Sequence, residues 1–124
     1  EFIKKARRIR KVFGGGMRQA GFIAAAGVYA LQNNINRLSE DHLHAAQIAD
    51  AISKKDFVKM MLPVETNIII FELTNTISAP QLVAKLKEYD ILGYAISPVR
   101  VRLVTHLDIS KEMIQKTIEV FNQL

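Results

Sequence analysis

Asn67-Ile-Ile-Ile-Phe-Glu-Leu73, followed four residues later by Ser78-Ala-Pro-Gln81, decides the fold of this chain. The first stretch is an apolar run of the kind a strand takes in a sheet interior. The second has the form of a capping box, a serine whose hydroxyl meets the N–H of the glutamine three residues on, and it starts a helix that runs to about Tyr89. Downstream, Ile91–Ile96 and Val99–Thr105 read as two further strands joined by a turn at Ser97-Pro98, and a last helix begins near Ser110 and reaches the end of the sequence. Upstream, Phe57–Leu62 reads as another strand. Residues 56–124 are therefore expected to form a small, mostly antiparallel sheet covered by helices on one face.

Ahead of the sheet the period is helical. Residues 35–54 carry Leu38, His42, Ala45, Ala49 and Ile52 at helix spacing, a seam suited to packing on a neighbour, with Glu40 and Asp41 near the start where the helix dipole favours them. From Ala20 to Leu31 all 12 residues are apolar or glycine. That run is short of the ~20 needed to span a bilayer and reads as a buried helix broken by Asn33 and Asn34. Three helices followed by mixed strands and helices make the fold class α+β. The 124 residues suit one domain, and a 49% hydrophobic content is enough for a core. With no cysteine, a disulfide framework and a zinc-thiolate site are excluded, which is compatible with a reducing cytoplasm. His42 and His44, at i and i+2, do not face one another, so no metal site is expected, and His42 on the seam reads as a packing histidine. No signal-peptide pattern, internal repeat or Gly-x-Ser-x-Gly elbow is visible.

Charge is concentrated at the start. Residues 1–18 hold seven Lys/Arg and one Glu, whereas residues 19–124 are nearly balanced, within an overall net charge of +5. Phe2, Ala6, Ile9 and Phe13 recur at helix spacing through the basic run, so it has an apolar stripe that a free nucleic-acid arm would not need. The run ends in Gly14-Gly15-Gly16-Met17-Arg18, at the mouth of the apolar helix, which is expected to start near Arg18. Glycine N–H groups can approach an anion closely, a helix N-terminus favours negative charge, and Arg18 can grip phosphate oxygens in two-pronged fashion, with Lys11 turned toward the same place. A plain glycine-rich turn between two helices is the other reading of the same residues.

A second candidate site lies in Val99-Arg-Val-Arg-Leu-Val-Thr-His106. The strand period puts Val99, Val101, Leu103 and Thr105 on the core face and Arg100, Arg102, Val104 and His106 on the other. An arginine on a rigid strand suits recognition of a carboxylate. The alternative is that both arginines are simply solvated on an open sheet face.

Taken together, Phe2-Ile3, Ala6-Arg7-Arg8, Arg10-Lys11, Gly14-Gly15-Gly16-Met17-Arg18-Gln19-Ala20-Gly21, Ala24-Ala25-Ala26-Gly27, Tyr29-Ala30-Leu31, Arg37-Leu38, Glu40-Asp41-His42 and Arg102-Leu103-Val104-Thr105-His106-Leu107-Asp108 resemble the C-terminal part of the low-specificity threonine aldolases. These are pyridoxal-phosphate enzymes of the β-eliminating lyase group, within the aspartate-aminotransferase (fold-type I) superfamily. The resemblance implies cleavage of L-threonine and L-allo-threonine to glycine and acetaldehyde. By motif position it implies that Arg102 binds the substrate α-carboxylate, and that Arg18, Lys11, Gly15 and Gly16 lie at the cofactor phosphate. It also implies a cytoplasmic homo-oligomer, dimer or tetramer, with no nucleic-acid or membrane partner.

One departure matters. The Ser-Lys-Gly segment whose lysine holds the cofactor in that family does not occur here. The expectation is a fragment with no catalytic residue of its own, most of the cofactor site belonging to a large domain outside it. Residues 1–18 would be the tail of that domain, 19–55 connecting helices and 56–124 the small C-terminal domain. Competing readings are another pyridoxal-phosphate lyase or aminotransferase of the superfamily or, in a different class, a small basic nucleic-acid-binding module.

Overall fold

The computed structural model describes all residues, Glu1–Leu124, which form two compact units, Glu1–Asn36 and Arg37–Leu124. In the first, α1 (Phe2–Val12) is followed by the glycine loop and by α2 (Gly21–Asn33). Neither helix buries a residue within this chain. The apolar stripe of α1 is open, with Phe2, Ile9 and Phe13 all exposed. α2, whose sequence reads as a buried helix, is likewise uncovered. A helix apolar on every side needs neighbours on every side, and α1 is the one other helix of its unit. α2 begins at Gly21 rather than near Arg18 because Gln19 takes a left-handed backbone conformation (φ 54°) that interrupts helical geometry.

The second unit holds α3 (Leu38–Ser53), β1 (Val58–Met61), β2 (Ile68–Leu73), α4 (Ala79–Lys87), β3 (Tyr94–Ser97), β4 (Arg100–Val104) and α5 (Lys111–Gln123). Its four strands lie in the order β1-β2-β4-β3, every neighbouring pair antiparallel, so the sheet is wholly antiparallel. β1–β2 and β3–β4 are hairpins. α4 carries the chain from the first to the second, and β4 pairs directly with β2.

Alternation dictates which side of this sheet is covered. Ile69, Phe71 and Leu73 of β2 and Val101 and Leu103 of β4 point to one face and are buried against Ala45, Ile48 and Ile52 of α3, Leu82 and Leu86 of α4, and Ile114 and Phe121 of α5. Phe71 and Phe121 meet edge to face, centroids 6.4 Å apart. α4 starts as its sequence demands: Ser78 Oγ accepts from Gln81 N, Ser78 N donates to Gln81 Oε1 at 3.0 Å, and Pro80 falls in the first turn, where its missing N–H is not needed. The other face of the sheet carries no helix of this unit.

α3 is rotated from its expected seam. Asp41, His44, Ala45, Ile48, Ala49 and Ile52 are buried, whereas Leu38 and His42 are exposed. Polar contacts accompany this face: Arg37 donates twice to Asp41, at 2.9 and 2.8 Å, and Thr105 Oγ1 donates to the Asp41 carbonyl at 2.8 Å, tying the first turn of α3 to the end of β4. His42 is therefore not a packing histidine; His44 is, with its Nδ1 buried and unpartnered.

Candidate functional site

Of the two sites read from the sequence as anion-binding, one is a loop with flanking cations and the other is an arginine on a strand. The loop's backbone hydrogen bonds are already committed. Gly14 has a left-handed backbone (φ 80°), Gly14 N donates to Lys11 O at 3.1 Å and Gly15 N donates to Arg10 O at 2.8 Å. That is the Schellman arrangement, in which two N–H groups beyond a helix end fold back onto its last unpaired carbonyls. Gly16 N donates to Gly14 O at 2.8 Å. Of the backbone N–H groups expected to meet an anion, those of Gly14 and Gly15 close α1 instead, because the end of a helix leaves unpaired carbonyls within their reach, and that of Gly16 bonds within the loop. What remains for an anion is the side chains. A Cβ added at Gly16 would stand 2.7 Å from Lys11 Nζ, so the lysine folds back over a loop that has no side chain to bar it. Arg18 is exposed two residues further on. Lys11 folded beside bare backbone at Gly16, with a second cation two residues along the sequence at Arg18, is chemistry that fits a phosphate.

The second candidate site lies on the open face of the sheet. Alternation along β4 holds: Val101 and Leu103 are buried and Thr105 behind them, while Arg100, Arg102 and Val104 face out. Val99 falls in the turn before β4 and is partly exposed rather than in the core. The two outward arginines have different surroundings. Arg100 stands opposite Glu72 of β2 and donates to Glu72 Oε2 through Nε at 3.0 Å, with Nη2 at 2.9 Å from the same oxygen. Lys59 of β1 takes the other carboxylate oxygen at 2.7 Å. Hydrogen bonds from Lys59 and then Arg100 hold the Glu72 carboxyl below the usual glutamate range. Arg102 has Ile70 on one side and Tyr94 on the other in the sheet register. Its guanidinium carbon sits 5.7 Å from the centre of the Tyr94 ring, and no carboxylate of this chain is paired with it. Of the two arginines, Arg102 is the one left to meet an external carboxylate.

Glu72 and Tyr94 were not singled out by sequence reading. Both are visible only through register, since each acts on an arginine across a strand pair. Elsewhere, His106 and Asp108 form an exposed pair at 3.5 Å, no cluster of three or more His, Asp or Glu side chains is arranged to hold a metal ion, and no helix is long and apolar enough to cross a membrane.

Residues 1–76 match the model of a family described as beta-eliminating lyase. The chain belongs to the beta-eliminating lyase family. Among relatives of this family member, the low specificity L-threonine aldolase of Escherichia coli (strain K12) is 45% identical over 114 residues, which cover 92% of this chain and 33% of that protein. Low-specificity L-threonine aldolase 1 of Arabidopsis thaliana is 34% identical over 125 residues, covering 98% of this chain and 35% of the relative. The chain thus spans about a third of the length of the curated relatives it matches. Solved structures share the fold at lower identity. A cystine C-S lyase in complex with cysteine persulfide superposes with a TM-score of 0.62 at 18% identity, covering 82% of this chain and 28% of that one. The ornithine delta-aminotransferase of Plasmodium falciparum gives 0.61 at 20% identity, covering 77% of this chain and 26% of that one. The α+β arrangement is therefore that of the fold-type I enzymes, as the sequence motifs implied.

Proposed function

We propose that this beta-eliminating lyase family member works as the C-terminal part of a pyridoxal-phosphate-dependent carbon–carbon lyase that cleaves L-threonine and L-allo-threonine to glycine and acetaldehyde. The observation that carries the reading is the contrast on β4. Glu72 occupies Arg100, while Arg102 stands on the open sheet face with its N–H groups uncommitted to any carboxylate. An α-amino acid brings the carboxylate that such a guanidinium accepts. Arg102 in this role anchors one end of the substrate and so fixes which bond at Cα is held ready to break.

Arg18 and Lys11 are the residues of this chain that would hold the cofactor phosphate, with Gly15 and Gly16 keeping the approach clear of side chains. Pyridoxal phosphate, when bound, supplies a sink for the electron pair released as Cα–Cβ cleaves. The lysine that holds the cofactor covalently, and most of the ring's surroundings, belong in this proposal to the two thirds of the relatives' length that this chain does not match. The 124 residues alone are accordingly inactive. The proposal includes a homo-oligomer, dimer or tetramer, in the cytoplasm. The open apolar faces of α1 and α2, among them Phe2, Phe22 and Ile23, support association, and the lack of cysteine suits a reducing compartment.

The test is an exchange. The matching segment of the Escherichia coli relative is replaced by this chain, and acetaldehyde release from L-threonine is followed with a coupled alcohol dehydrogenase. Threonine-dependent acetaldehyde is the expected product. A hybrid that retains cofactor and passes the amino group of threonine to an added keto-acid acceptor, without acetaldehyde, would make the protein an aminotransferase; one that releases ammonia and a keto acid from threonine alone would make it a different lyase; and one that retains cofactor and does none of these would overturn the reading altogether.

A further inference from the structure

Arginine is a flexible side chain, and on an open sheet face it has rotamer entropy to lose before it can present both prongs to a ligand. Something must hold Arg102 still without using its N–H groups. A carboxylate would hold it but would compete with the ligand, and this is the state of Arg100 against Glu72. The neighbours of Arg102 differ in kind. Ile70, its partner on β2, has no acceptor in its side chain, and Tyr94, its partner on β3, offers a ring face. The guanidinium carbon is 5.7 Å from the Tyr94 centroid, within the range where the negative face of an aromatic ring attracts a cation. A ring face binds the guanidinium through its plane and leaves the N–H groups at its rim free. Tyr94 is 63% exposed, so burial in the core does not explain why a large ring stands here.

We propose that Tyr94 is the positioning residue for Arg102: it holds the guanidinium against its ring so that the N–H groups face an incoming amino-acid carboxylate already ordered. This rests on the reading of Arg102 as the carboxylate site. Tyr94 touches no reacting atom in this account. Its contribution is to the binding of substrates that carry a carboxylate.

Two measurements test it. In the 124-residue chain, the Arg102 Cδ proton resonances should be shifted upfield by the ring, lose that shift in Tyr94→Leu and keep it in Tyr94→Phe. Unshifted resonances in the unmodified chain would overturn the proposal before any kinetics. In the full-length enzyme, Tyr94→Leu should raise KM for threonine roughly threefold, the size expected of one exposed cation–ring contact, with kcat nearly unchanged. Tyr94→Phe should restore the original KM, since the ring face remains. If Tyr94→Leu leaves KM unchanged while Arg102→Lys impairs the enzyme, the positioning role fails and the carboxylate site stands. An equal loss in Tyr94→Phe would assign the effect to the hydroxyl and overturn the proposal, and an enzyme indifferent to Arg102→Lys would remove both the site and its positioning residue.

Discussion

The Thr105 hydroxyl donates to the backbone carbonyl of Asp41 across 2.8 Å, joining the end of β4 to the first turn of α3. Both residues are buried, and Asp41 also takes two hydrogen bonds from Arg37. Asn67, ahead of β2, closes the same corner: Thr105 N donates to its carbonyl at 3.0 Å and its amide donates to Thr105 O at 2.7 Å. Two motif segments far apart in sequence, Arg37–His42 and Arg102–Asp108, therefore meet at one buried polar corner. Three residues upstream on the same strand is Arg102, whose place depends on β4 staying in register.

Thr105→Val keeps the shape and removes the hydroxyl, so it should cost about 1 kcal/mol. For a domain of this size that lowers the thermal midpoint by roughly 4–8 °C. Thr105→Ser, which retains the donor, should recover most of the loss. A scan in which Val is as stable as Thr would mean the bond adds nothing beyond what water gives Asp41 in the unfolded chain.

Glu72 makes stability depend on acid. Its carboxyl, hydrogen-bonded by Lys59 and Arg100, titrates below its ordinary value of 4.5. Below that value the unfolded chain binds a proton that the native chain does not, so the contribution of Glu72 is complete above 4.5 and fades as pH falls through the lowered native value. Glu72→Gln should therefore flatten the acid side of the stability curve while leaving the slope near neutrality unchanged. Urea midpoints measured from neutral to acid pH check this, and parallel curves for the two proteins would count against it.

The glycine loop is predicted to matter first as a helix end. A Cβ at Gly15 would meet the Arg10 carbonyl oxygen at 2.8 Å, an overlap with backbone that cannot swing aside. Gly15→Ala should break the Gly15–Arg10 hydrogen bond and fray the last turn of α1, seen as faster amide exchange at residues 13–15. At Gly14 the space is open but the backbone is left-handed, so Gly14→Ala should cost only about 1 kcal/mol of local stability. If Gly15→Ala exchanges no faster than the unmodified chain, the Schellman closure is not what orders the loop.

These contacts also explain what the sequence could and could not convey. β2, α4 and the outward face of β4 follow from local pattern, because alternation and a capping box act over a few residues. The face of α3 does not, since the partner that meets its first turn at Asp41 is a residue 64 positions away, and apolar spacing alone placed His42 there instead. The glycine loop was legible as residue types that can approach an anion. Which carbonyls would claim its N–H groups was not, because that depends on where α1 ends. Alternation sent both Arg100 and Arg102 outward with equal force. Only the pairing of β4 with β2 and β3, which sets Glu72 against one and Tyr94 against the other, tells them apart.

That difference gives the sharpest prediction. In the lyase proposed above, Arg102→Lys keeps the charge but loses the two-pronged geometry and the guanidinium whose carbon stands 5.7 Å from the centre of the Tyr94 ring. kcat/KM for threonine should fall at least ~10-fold, about 1.4 kcal/mol of transition-state binding, with cofactor content unchanged. Arg100→Lys is the control. Lysine can still reach Glu72 from that position, and a side chain already committed to an internal carboxylate has no substrate to lose, so kcat/KM should stay within about twofold of the original. Steady-state assays of the two variants beside the unmodified enzyme decide the matter. Should Arg100→Lys prove the damaging change and Arg102→Lys the tolerated one, Glu72 would be orienting a substrate arginine rather than occupying a structural one, and the carboxylate site would move two residues along the strand.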